Sequence, residues 1–202
     1  MCAYASLEAI FSLNETPEYT CCCLMADKEE IGSVGATGMR AMYFENAVAE
    51  MLNLSEDGFS DLKLRHALAN SRMLSCDVSA GFDPLFAGAF EKKNAAMFGN
   101  GVCFNKFTGS GGKSGSNDAN AEYIGKLRKI MDDNNIAWQT AELGRVDVGG
   151  GGTIAYICAL YGMEVIDSGV AVLSMHAPLE IINKADLYEA VKAYAAFMKD
   201  AK

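Results

Sequence analysis

Apolar runs of strand character alternate along this chain with stretches of helical period. That alternation limits the fold to a sheet covered by helices. Strands are expected in "YTCCCLMAD" (19–27), "RMLSCDVS" (72–79), "VCFNKF" (102–107), "IAWQTAEL" (136–143), "MEVIDSG" (163–169) and "AVLSM" (171–175). Helices are expected in "YASLEAIFSLN" (4–14), "GMRAMYFENAVAEMLNL" (38–54), "DLKLRHALANS" (61–71), "NDANAEYIGKLRKIMDDNN" (117–135), "GGTIAYICALYG" (151–162) and "ADLYEAVKAYAAFMKD" (185–200). In the fourth helix Tyr123, Leu127, Ile130 and Met131 share a face; in the last, Leu187, Val191, Tyr194 and Met198 form one stripe. Asn183 is placed to cap that last helix. The result is a three-layer α/β domain spanning residues 1–202, without an internal repeat or long linker. "GFDPLFAGAFEKKNAAMFGNG" (81–101) and "TGSGGKSGSNDAN" (108–120) read as its long irregular stretches, where function tends to sit.

A chain of 202 residues, half of them hydrophobic, can bury a sizeable core. Its net charge of -9 argues against nucleic acid or an anionic membrane surface as partner. No apolar run is long enough to span a bilayer, and "MCAYASLEAIF", with Glu8 and no basic residue, does not read as a secretory signal. The seven cysteines read as reduced, mostly buried small hydrophobes, which points to the cytoplasm. "CCC" does not read as a metal site, because neighbours on a strand point to opposite faces.

"FTGSGGKSGS" approaches the phosphate-binding pattern G-x-x-x-x-G-K-[ST] but fails it. Its leading glycine would fall on Phe107. The segment reads as a glycine-rich turn in which Lys113 and free N–H groups could hold a carboxylate.

Ligands gather where strands end and loops begin. Four candidates occupy such ends: Glu29 and Glu30 after "CCCLMADK", Asp77 after "RMLSC", and His176 after "AVLSM". Carboxylates with an imidazole suit zinc, manganese or cobalt. Adjacent glutamates suit a division of labour, one on a metal and the other taking a proton from water. Two alternatives stand beside this. "DKEE" also reads as a solvated turn, and His176 as a core histidine. The other histidine, His66, reads as a surface or helix-packing residue.

The ordered set "CAYASLEAIF", "DKEEIGSVGATG", "SCDVSAGFDP", "TGSGGKSGSNDANAE", "ELGRVDVGGGGTIA", "YGMEVIDSGVAVLSMHAPLE" and "KADLYEAVKAYAAF" resembles the C-terminal part of the catalytic domain of metallopeptidase family eighteen. That family holds aspartyl aminopeptidase and aminopeptidase I-like zinc enzymes, and the resemblance covers essentially the whole chain. It implies a three-layer α/β/α zinc-exopeptidase-like domain with a mixed, mostly parallel sheet. It implies Glu29 as general base and Glu30, Asp77 and His176 as metal ligands. Arg145, Asp147 and Gly151 would shape the substrate pocket or a subunit contact, and Lys113 is grouped with them. The implied reaction is removal of a peptide's N-terminal residue with two zinc ions. The implied partners are a peptide substrate and further copies of the chain.

Family members are longer than this chain. They carry a histidine and a bridging aspartate upstream of the segment matching "CAYASLEA", and an inserted lid-like domain. The expectation is therefore a metal-dependent aminopeptidase represented by a truncated chain, its activity alone left open by the missing bridging ligand, with a non-catalytic relic of structural role as the alternative. "DVSAGFDPLF" lacks the histidine-rich stretch of the aspartyl enzymes, so a neutral or hydrophobic N-terminal residue is expected.

Overall fold

A computed structural model of the chain describes residues 1–55, 58–111, 114–145, 147, 150–151 and 153–201, the side chain of Ser110 excepted. The helices are α1 (Cys2–Phe11), α2 (Tyr43–Ser55), α3 (Asp61–Ala69), α4 (Ala121–Asp133), α5 (Ala155–Ala159) and α6 (Lys184–Asp200). The strands are β1 (Arg72–Cys76), β2 (Ser79–Ala80), β3 (Val102–Asn105), β4 (Phe107–Ser110), β5 (Ser114–Asp118), β6 (Trp138–Thr140), β7 (Glu164–Gly169), β8 (Ala171–Leu173) and β9 (Ile181–Ile182).

The main sheet runs β1-β7-β3-β6, and two of its three pairings are parallel. Strand register decides which side chains face which layer. Leu74, Ile166, Val102 and Phe104 project to one side and pack with α1, α4 and α6. Met73 and Val165 project to the other and pack with α2, α3 and α5. The fold is thus the expected three-layer α/β/α sandwich. Among the described residues no helix is long and apolar enough to cross a membrane.

Local signals account for the helices. Asn120 Oδ1 accepts the Tyr123 N–H at 2.7 Å and opens α4, whose apolar face, Tyr123, Leu127, Ile130 and Met131, is buried as its period requires. Asn183 Oδ1 accepts the Ala185 N–H at 2.8 Å and opens α6. Buried Asp186, in the first turn of α6, accepts the N–H groups of Gly99 (2.9 Å) and Gly101 (2.8 Å) and ties the loop before β3 to that helix.

Several expectations need correction. Residues 19–27 form no strand. Leu24 and Ala26 pack in the same cluster as Met73 of β1, but the segment has no ladder partner among the described residues. A strand is made by its neighbour as much as by its own composition. The stretch 108–120 is not irregular: it contains the β4–β5 hairpin. Ser114–Asp118 is consequently a strand, where a phosphate-binding loop would require a helix. The helices expected in 38–54 and 151–162 are shorter, beginning at Tyr43 and Ala155. All seven cysteines are free, but Cys22 is exposed and Cys2 is helical.

Candidate active site

The loop carrying the paired glutamates is closed on itself. The Asp27 N–H donates to Thr37 O at 3.3 Å, and Thr37 Oγ1 donates to Asp27 Oδ2 at 2.9 Å. Lys28 takes a left-handed backbone (φ 61°) and Glu29–Ile31 follows as a single 3-10 turn. Such a turn has 3.0 residues per revolution, so adjacent side chains leave about 120° apart. This is why Glu29 and Glu30 stand together yet point differently. Glu29 is half-buried and Glu30 is exposed.

Asp77 continues the line of β1, its N–H donating to Ser168 O of β7 at 3.2 Å. Gly169 makes this possible, since a Cβ there would lie 1.5 Å from Asp77 O. His176 follows β8 in a turn, with φ 68°, and its N–H donates to Glu180 Oε1 at 2.6 Å. Its Nδ1 lies 3.6 Å from Glu30 Oε1. Asp77 and His176 therefore come from the C-terminal ends of parallel strands, where α/β sheets bind ligands.

The site concentrates negative charge. Burial pushes the Glu29 carboxyl up; Asp77 and then Glu30 push it further, against an opposing pull from His176. Burial also raises Asp77, against its hydrogen bond from the Val78 N–H at 2.7 Å, with Glu30 and Glu180 adding to the rise. A cation would relieve this crowding. One imidazole with carboxylates is a donor set that zinc accepts. As placed, though, no three His, Cys, Asp or Glu side chains among the described residues converge closely enough to hold a metal ion.

Arg145 and Asp147 are exposed. The Arg145 N–H donates to Ala89 O at 3.0 Å, and Asp147 is left-handed (φ 66°). Among the described residues neither has a hydrogen bond or ion pair to Glu29, Glu30, Asp77 or His176. Gly151 lies beside the Leu143 side chain. Lys113 lies outside the described residues. Two residues went unassigned from sequence. Glu180 braces the His176 turn and stood in the motif "HAPLE". Asp167 is buried in β7, and its only signal was a charge within an apolar strand.

An α/β/α sandwich with carboxylates and an imidazole at the C-terminal edge of its strands is an arrangement of metal-dependent hydrolases. The chain matches the family described as Aminopeptidase I zinc metalloprotease (M18) over residues 1–198, and it belongs to that family. It is 56% identical over 200 residues to a probable M18 family aminopeptidase 1 of Clostridium acetobutylicum, covering 99% of this chain and 43% of that protein. A Thermotoga maritima relative of the same description is 42% identical over 199 residues, covering 98% and 44%. The crystal structure of aminopeptidase I from Clostridium acetobutylicum superposes with a TM-score of 0.88 at 56% identity, over 98% of this chain and 42% of that one. The M18 aminopeptidase structure from Thermotoga maritima gives 0.94 at 41% identity, over 98% and 44%. The chain thus spans less than half the length of the relatives it matches.

Proposed function

We propose that this protein acts as a zinc-dependent aminopeptidase that releases neutral or hydrophobic N-terminal residues from peptides. The observation that carries the reading is Glu30 Oε1 placed 3.6 Å from His176 Nδ1, next to half-buried Glu29 and in an M18 fold whose β1 runs out into Asp77. Glu30, Asp77 and His176 would hold zinc. When bound, the metal supplies a Lewis acid for the scissile carbonyl and an acidified water. Glu29 would be the base that accepts a proton and returns it to the leaving amine. Its raised proton affinity suits a base that must also become a donor.

Two features support the substrate preference. The carboxylates of Glu29, Glu30, Asp77 and Glu180 would repel an acidic side chain. A cavity of about 280 Å³ next to the glutamate loop is lined mainly by apolar side chains, among them Leu24, Met25, Met39 and Phe44, together with Asp27 and Thr37, a surface able to take apolar groups. The second reading is a chain with the fold but without catalysis, favoured by the donors' failure to converge on an ion. Zinc content after dialysis against metal-free buffer, followed by hydrolysis of leucyl and aspartyl p-nitroanilides, separates the two. Bound zinc with leucyl hydrolysis at least about tenfold faster supports the proposal. No zinc and no hydrolysis supports the non-catalytic reading, and faster aspartyl hydrolysis overturns the preference.

Self-association is also proposed. Tyr4, Leu7 and Phe11 lie on one face of α1 and are 55%, 40% and 75% exposed, an apolar stripe in need of cover. Light scattering is expected to report an oligomer at micromolar concentration. A monodisperse monomer would remove this part of the proposal. The free thiols agree with a reducing, cytoplasmic setting.

A further inference from the structure

Asp167 has no part in the chemistry above, yet it is the charged group closest in kind to that site. Register puts Ser75, Asp167 and Asn105 in one row across β1, β7 and β3. Past this row the β1–β7 ladder ends at Cys76 and Ser168, and the Asp77 backbone crosses Gly169 toward the strand ends. Asp167 therefore lies one row short of Asp77; its charge is felt at Glu29, and the charge of Asp77 is felt at Asp167.

Its residue is 2% exposed. Thr108 Oγ1 of β4 donates to Asp167 Oδ2 at 3.0 Å. The hydroxyls of Thr153, just before α5, and of Ser75 favour its ionised form against burial, which carries its pKa to about 6. Oδ1 has no hydrogen-bond partner among the described residues, so the carboxyl's one hydrogen bond there is that from Thr108. A buried carboxyl this poorly satisfied is costly to keep unless its position is needed.

The two threonines belong to glycine-rich segments that meet. Gly109 follows Thr108, and Gly150 and Gly151 precede Thr153. A Cβ on Gly150 would sit 2.3 Å from Gly109 O, so the two backbones touch where only glycine fits. The hairpin has a second anchor, Asn117 Nδ2 donating to Val165 O at 3.0 Å, which does not involve Asp167.

We propose that Asp167 is a positioning residue: its buried carboxyl holds Thr108 of β4 and thereby clamps Gly109 against the Gly150 segment beside the site, so that their backbone forms a fixed edge for the peptide substrate. The substrate part of this inference rests on the aminopeptidase reading. The clamp itself does not.

The test uses the full protein with Thr108→Val, Thr153→Val, Asp167→Ala and Asp167→Asn. The valine variants change one hydroxyl each and leave the Asn117 anchor in place. Amide hydrogen exchange is followed at Gly109, Gly111, Gly150 and Gly151, together with peptide kinetics. Thr108→Val is expected to speed exchange about tenfold at Gly150 and Gly151 as well as in its own segment. KM is expected to rise about fivefold with kcat nearly unchanged, a pattern general loss of stability does not produce. Asp167→Asn, which keeps an acceptor and a donor, is expected to recover much of what Asp167→Ala loses. Unchanged exchange at Gly150 and Gly151 in Thr108→Val overturns the clamp. A fall in kcat at constant KM overturns the positioning role. If the unaltered protein hydrolyses no peptide, the aminopeptidase reading fails while the exchange measurement still decides the clamp.

Discussion

Glu29→Gln is expected to lower kcat roughly a thousandfold while zinc content and KM stay near those of the unaltered protein. The amide keeps the size of the side chain and its place in the 3-10 turn, but it has no basic oxygen. Water at the metal then loses its proton acceptor, and the leaving amine its donor. Glu30→Gln should behave differently, although it alters the adjacent residue. Glu30 is exposed and its Oε1 lies 3.6 Å from His176 Nδ1, which is why it is proposed as a ligand. Its loss should therefore show first as zinc lost in dialysis, with activity falling in proportion. The contrast tests the assignment of the two roles. Kinetics and metal content measured on both variants decide it. A Glu29→Gln protein within tenfold of full activity would remove Glu29 from the base role. Equal zinc loss in both variants would make the pair a shared ligand set.

How much of this was legible in the sequence depends on how local the signal is. The α4 face of Tyr123, Leu127, Ile130 and Met131 and the Asn183 cap were readable because a helix carries its hydrogen bonds within itself. Residues 19–27 were misread because β composition says nothing about whether a partner strand lies alongside. The β4–β5 hairpin was hidden for the opposite reason. Its glycines and serines look like loop residues, and it is the pairing of Phe107 with Asp118, Thr108 with Asn117 and Ser110 with Ser114 that shows a ladder. The site divides in the same way. Asp77 and His176 could be placed because an apolar strand visibly ended at each. Asp167 could not, since its depth follows from the row it shares with Ser75 and Asn105, which is a matter of register.

Gly169→Ala is expected to cost about 4 kcal/mol of stability or more, and to take the site with it. An added Cβ would lie 1.5 Å from Asp77 O, 2.6 Å from Asp77 C and 3.2 Å from Val78 Cα. All three are backbone atoms, so no side-chain rotation relieves the clash. Nor can the segment slide. Asp77 donates to Ser168 O at 3.2 Å, Ser79 to Val170 O at 2.9 Å and Gly81 to Val172 O at 2.8 Å. These bonds fix the chain on both sides of Gly169, and the buried core of β7 lies directly beneath. The protein must either break this run of hydrogen bonds or push Asp77 off the sheet edge, and each route displaces a proposed zinc ligand. Gly125→Ala provides the control. Gly125 is exposed in α4, and a Cβ there meets nothing within 4 Å. That change should stabilise the protein by about 0.5–1 kcal/mol through helix propensity. Urea denaturation of both variants, with zinc content measured alongside, tests the pair. If Gly169→Ala stayed within about 1 kcal/mol of the unaltered protein and kept its zinc, the close crossing of Asp77 over β7 would not be what holds this ligand in place.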